Sequence, residues 1–204
     1  MLVPDDPLGA VRDQRLLPVL RTGTAEESIA RARALLAAGC RAIELTTTTP
    51  GWDAALEAVA GLTDARGRTA VIGVGTVSTA AAAARALDLG AAFLVSPFPA
   101  PEVRRVAGER GATFIEGAFS PGELAAAAAA GPAKLFPAHV GGPSYLRSVR
   151  AVLPGSVIIP TGGIGPGQVG EWLDAGAAAV GVGSGLPADP AELAGLFARL
   201  EAAQ

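Results

Sequence analysis

"LLAAGCRAIELT", residues 35–46, runs two patterns together across one glycine: a helical pattern that ends at Gly39 and a short apolar segment that begins at once after it. Glycine just past a helix end takes the left-handed backbone conformation at little cost, which lets the chain turn back directly into a strand. The same phrase returns as "LDLGAAFLVSP" (87–97), "GERGATFIEG" (108–117), "AAAGPAKLFP" (128–137) and "LDAGAAAVGVGS" (173–184). It is a helix-to-strand connector, and its repetition marks a repeating unit.

Helix starts carry their own marks. Thr24 with Glu27, Ser120 with Glu123 and Asp189 with Glu192 have capping-box spacing, the last two with proline at the first helical position. Leu193, Leu196, Phe197 and Leu200 follow the spacing of one buried helical face. The six alanines at 125–130 need only high helix propensity. Strands then fall at 16–20, 41–46, 69–74, 91–96, 112–116, 132–136, 156–160 and 178–183, with helices between and after them. Eight such βα units predict a closed (β/α)8 TIM barrel, with an open doubly wound sheet as the alternative. At 204 residues the chain is expected to be a single barrel domain, 1–204, with residues 1–15 as an N-terminal extension or short helix.

Composition narrows the function. Half of the residues are hydrophobic but only 4% are aromatic, and with 27 glycines this suits tightly packed helices over a buried parallel sheet. A net charge of −3 lacks the basic balance of a nucleic-acid binder and leaves small-molecule chemistry. Cys40 is the one cysteine, so no internal disulfide and no cysteine-based zinc cluster can form, and its place before "AIEL" suggests an inert buried thiol. "MLVPDDPLGAVRDQR" lacks the basic and apolar regions of a secretory signal, so a cytoplasmic location is expected. The uncharged stretch 151–170 holds three prolines and six glycines, which rules out a membrane-spanning helix there.

The chain has fifteen arginines but one lysine, Lys134, and one histidine, His139. In a (β/α)8 barrel the reactive side chains sit near the C-terminal ends of the strands. Strand 2 offers Glu44 between Ile43 and Leu45, and strand 6 offers Lys134 between Ala133 and Leu135. Alternation sends the apolar neighbours to the helices and both charges into the barrel. A purely ordering ion pair is the bland reading, although charges inside a barrel are seldom retained for stability. A desolvated lysine amine, or one beside another cation, can attack a ketone and form a Schiff base; arginine cannot.

The loops after strands 7 and 8, "PTGGIGPG" (160–167) and "GVGSGL" (181–186), lie at the usual phosphate position of such barrels, where glycine leaves backbone N–H groups open to an anion. Gly75 and Thr76 in "GVGTVST" (73–79) offer a similar place for a carboxylate or phosphate, with plain turn chemistry as the alternative. His139 has no partner for a metal site and reads as a rim residue without a chemical role.

Taken together, "GCRAIELT", "GVGTV", "FLVSP", "KLFPA", "GGPSYLRSVRAVLP", "PTGGI" and "VGVGS" resemble the class I aldolases for 2-keto-3-deoxy-6-phosphogluconate and 4-hydroxy-2-oxoglutarate, over nearly the whole chain. The resemblance implies that Lys134 forms the Schiff base and Glu44 moves protons. It implies that Thr76 helps hold the pyruvyl carboxylate, that Gly162, Gly163 and Ser184 cradle the phosphate, and that Thr161 lines the same pocket. It further implies a homotrimer acting on a phosphorylated 2-keto acid in Entner–Doudoroff carbohydrate metabolism, with no metal or organic cofactor and no nucleic-acid or membrane partner.

Two departures stand out. Many members have arginine four residues after the glutamate, where this chain has Thr48, so the carboxylate-binding role passes to Arg21 in "PVLRTG". Glu116 replaces a frequent proline, and as an extra carboxylate near the site it would disfavour an anionic substrate. The rival substrates are the galactonate-derived stereoisomer, whose enzymes resemble this chain around "TPGWDAA", and 4-hydroxy-2-oxoglutarate. The rival classes are a sugar-phosphate isomerase or epimerase using Glu44 without an imine, and a catalytically silent phosphate-binding module.

Overall fold

The computed structural model describes residues 6–202; the first five residues of the expected N-terminal segment lie outside them. Eight parallel strands alternate with helices: β1 Leu16–Leu20, β2 Ala42–Thr46, β3 Val71–Gly75, β4 Phe93–Val95, β5 Thr113–Ala118, β6 Ala133–Leu135, β7 Ile158–Pro160 and β8 Val180–Val182. The helices are α1 Pro7–Gln14, α2 Ala25–Ala37, α3 Trp52–Val59, α4 Ala80–Asp88, α5 Pro101–Glu109, α6 Pro121–Ala130, α7 Gly142–Val152, α8 Val169–Asp174 and α9 Pro190–Ala202.

The strands pair in chain order from β1 to β7, and β8 pairs with β1 through Leu16↔Val180. A parallel bridge between Thr161 and Gly181 then joins the β7 side to β8, so the sheet closes. The fold is a (β/α)8 barrel, and the open-sheet alternative falls with that closure. Alternation sorts the core into two shells. Leu17, Ala42, Val71, Phe93, Ile115 and Ile159 fill the lumen, while Leu16, Ile43, Ile72, Leu94, Leu135 and Val180 pack outward against the helices.

Helix α1 covers the N-terminal end of the barrel. Its Ala10 and Val11 join the luminal cluster. The Gln14 amide donates to Leu16 O and Ala42 O (2.6 and 2.8 Å) and accepts from Arg41 N and Ala42 N (2.6 and 2.9 Å). The barrel is therefore shut at this end, and the loops that follow the strands lie at the other.

Four of the five connectors turn at a glycine with positive φ, namely Gly39, Gly90, Gly111 and Gly176, while the fifth, Gly131, is extended at φ 161. Of the three expected capping boxes, Ser120 with Glu123 forms the reciprocal pair. Glu27 instead accepts from Gly23 N at 3.0 Å, and Asp189 caps alone, accepting from Ala191 N and Glu192 N.

Candidate active site

Glu44 and Lys134 come from β2 and β6, on opposite sides of the barrel, and meet in its lumen with Nζ 3.5 Å from Oε1. Both side chains are buried. Gly75, inward-facing on β3, makes the meeting possible: a Cβ there would overlap the Glu44 carboxyl group and its Cγ. The charged neighbour the structure gives the amine is thus a carboxylate, where the sequence argument also allowed a cation. An amine and a carboxyl group in reach of each other can exchange a proton, which frees the amine lone pair for addition to a carbonyl.

Phe136 supplies the aromatic wall of the site. Its ring centroid lies 5.4 Å from Lys134 Nζ, and a Cβ on Gly162 would come within 2.9 Å of its edge. The ring therefore spans the distance between the amine and the loop after β7. In the sequence Phe136 is marked only by standing two positions after Lys134, and so on the same side of the chain.

At the C-terminal end of the barrel, which forms its mouth, Arg21 Nη2 lies 3.4 Å from Thr76 Oγ1, so the two residues expected to hold a carboxylate are neighbours. Thr76 has φ 59, an uncommon conformation for a residue with a Cβ, and its carbonyl accepts from Thr47 Oγ1 at 2.8 Å. Thr48 is exposed, and its hydroxyl donates to Thr46 Oγ1 at 3.2 Å.

The loops after β7 and β8 adjoin. Thr161 is buried, and its side chain occupies the space that the missing Cβ of Gly181 leaves open. A Cβ on Gly185 would stand 3.4 Å from Pro166 Cδ. Gly162 and Gly163 have φ of 95 and 70, and Ser184 is exposed on the facing loop. Among the described residues the N–H groups of Gly162, Gly163 and Ser184 meet no acceptor, so these two loops present free donors on one side of the mouth.

Glu116 corrects an expectation. Ile115 belongs to the luminal cluster, so its neighbour Glu116 points outward, to the start of α5. There it accepts from Ala100 N at 2.7 Å and from Arg104 Nε at 2.8 Å, with Arg104 Nη2 closing the ion pair. It ties a helix to the sheet and adds no negative charge to the lumen. Cys40 is buried with its thiol on Ala42 O at 3.3 Å, and burial pushes its pKa far up, which leaves no thiolate to react. His139 stands beside the β7 loop, its ring nitrogen Nδ1 3.3 Å from Gly162 O. Among the described residues no group of three His, Cys, Asp or Glu side chains is arranged to hold a metal ion. A cavity of about 310 Å³ lined by Gln14, Arg41, Arg68 and Phe197 lies at the other end of the barrel, next to α1 and α9.

Fold and site together define a class: a (β/α)8-barrel lyase of the metal-independent class I aldolase type. A family profile described as "Aldolase: KDPG and KHG aldolase" matches residues 9–194. The 2-dehydro-3-deoxy-6-phosphogalactonate aldolase of Escherichia coli K12 is 34% identical over 174 residues, 84% of this chain and 83% of that one. The 2-dehydro-3-deoxy-phosphogluconate aldolase of Pseudomonas aeruginosa is 33% identical over 165 residues, 79% of this chain and 73% of that one. Among solved structures, a KDPG aldolase from Legionella pneumophila, with pyruvate captured as a covalent carbinolamine, superposes with a TM-score of 0.80 at 28% identity, covering 96% of this chain and 97% of that one. The chain belongs to the KDPG and KHG aldolase family.

Proposed function

We propose that the protein cleaves 2-keto-3-deoxy-6-phosphogluconate to pyruvate and glyceraldehyde 3-phosphate through a Schiff base on Lys134. The observation that carries this reading is the buried contact of Lys134 Nζ with Glu44 Oε1 at 3.5 Å, in a lumen whose mouth is edged by free backbone donors. The amine adds to the C2 ketone, and loss of water from the carbinolamine leaves an iminium. Glu44 takes the proton of the C4 hydroxyl, the C3–C4 bond breaks, and its electron pair moves into the enamine as the aldehyde departs. Protonation at C3 and hydrolysis of the imine release pyruvate and restore the lysine.

Arg21 and Thr76 receive the pyruvyl carboxylate in this reading, and their 3.4 Å contact at the mouth supports it. Gly162, Gly163 and Ser184 receive the phosphate through their free donors, and Thr161 lines the pocket between phosphate and imine. The galactonate-derived epimer is the second reading, favoured by the 34% identity to an enzyme named for it. Both epimers give the same two products, and 4-hydroxy-2-oxoglutarate would give pyruvate and glyoxylate. A phosphorylated sugar acid as substrate fits a reaction in the cytoplasm, within Entner–Doudoroff metabolism for the gluconate compound. A homotrimer fits the exposed Phe98 and Val140, on the loops after β4 and β6, as apolar surface for a contact between copies to cover.

Kinetics on the three substrates side by side test the reading. The phosphorylated compounds should show the higher kcat/KM, with the gluconate epimer first. Release of pyruvate from none of them would overturn it.

A further inference from the structure

Gly162 O receives two contacts from one residue: the backbone N–H of His139 donates to it at 3.1 Å, and the ring Nδ1 lies 3.3 Å away. A carbonyl oxygen only accepts, so the ring makes its hydrogen bond with the proton on Nδ1. The ring lies directly over Gly163, where a Cβ would come within 2.6 Å of both Cγ and Nδ1. Glycine at 163 is therefore required twice, for its φ of 70 and for the space the imidazole fills.

The Gly162 carbonyl and the Gly163 N–H belong to one peptide unit. In a planar trans peptide they point in opposite directions. Anchoring the carbonyl on His139 turns the Gly163 N–H to the far side, where it meets no acceptor among the described residues. Two consecutive glycines have little local preference of their own, so this orientation needs an outside hold. No other ionisable side chain lies in segments 138–140 or 160–168, and the remaining backbone contact to Gly162 O would survive replacement of the ring.

We propose that His139 is a positioning residue for phosphate binding, which fixes the Gly162–Gly163 peptide through Nδ1 and so aims the Gly163 N–H at the phosphate of the substrate. This rests on the reading above that the β7 loop takes the phosphate. It gives a role to a residue that the sequence left as a bystander.

The test compares wild type, His139→Ala and His139→Asn, because the Asn amide can place a donor where Nδ1 stands. For the phosphorylated substrate, His139→Ala should raise KM about 5- to 10-fold with kcat within about twofold, the worth of one hydrogen bond. His139→Asn should recover most of that loss. The pyruvate concentration that half-saturates borohydride trapping has no phosphate to feel, and it should stay within about twofold in all three proteins. An unchanged KM in His139→Ala, an equal loss in pyruvate trapping, or a His139→Asn as poor as the alanine variant would each overturn the proposal. Wild-type enzyme with no preference for phosphorylated over non-phosphorylated substrate would show, before any variant is made, that the phosphate reading itself fails, and the role of His139 with it.

Discussion

Lys134 stands out in the sequence because it is the chain's single lysine, and strand alternation places it in the lumen opposite Glu44, where the structure has it. The same rule, applied to Glu116, depends on which residues of β5 face inward. Ile115 does, so Glu116 faces α5, and a shift of one residue is enough to move a charge from lumen to helix layer. Phe136 and the inward glycines were harder to read, since their role is the space they fill or leave. Gly75→Ala tests that role. The new Cβ would overlap the Glu44 carboxyl group, so Glu44 must leave Lys134, and kcat should fall at least 10-fold while the far-UV circular dichroism stays native. Wild-type turnover in that variant would show that the contact with Glu44 is dispensable. Glu44→Gln should lower kcat by about 100-fold or more yet still permit imine trapping, as expected of a proton-transfer group. Equal turnover would remove Glu44 from the mechanism.

At the scale of elements, all eight strands were legible, five of them (β2, β4, β5, β6 and β8) from the glycine connectors, but their ends were not. The expected strand at 91–96 is Phe93–Val95, and the one at 69–74 is Val71–Gly75. An apolar run reports burial, and Ala91 and Ala92 are indeed buried while lying ahead of the ladder. The loop before β3 was not legible at all. Asp64 Oδ1 accepts from Arg66 N and Arg68 N, both at 2.9 Å, and Oδ2 pairs with the Arg68 guanidinium at 2.7 Å. Desolvation pushes the Asp64 carboxyl up, but the Arg68 N–H, the Arg68 side chain and the Arg66 N–H together hold it below its ordinary value. A carboxyl depressed in the folded state stabilises the protein above its unfolded value of about 3.9, and that stability is lost as pH falls through the lower folded value. Asp64→Asn should cost about 1–3 kcal/mol at pH 7 in urea unfolding and flatten the loss of stability in acid. A variant as stable as wild type at pH 7, with the same acid profile, would contradict this.

The whole molecule depends on closure. The five glycine connectors indicate that strands and helices alternate, while the bridge of Thr161 to Gly181 and the pairing of β8 with β1 make the sheet a barrel with an inside. Neither contact is local, so no short stretch of sequence announces it. With α1 across one end, the loops that carry Arg21, Thr76, Gly162, Gly163 and Ser184 lie at the other. Lys134 is enclosed in this lumen, and the proposed mechanism makes it the amine that an entering keto acid meets. The most direct test is mass spectrometry of the protein after borohydride treatment with pyruvate, followed by peptide mapping. The expected result is one stable adduct, on the peptide containing Lys134, with loss of activity. A protein that stays unmodified and active, or carries its adduct on the N-terminal amine, would contradict the Schiff-base mechanism.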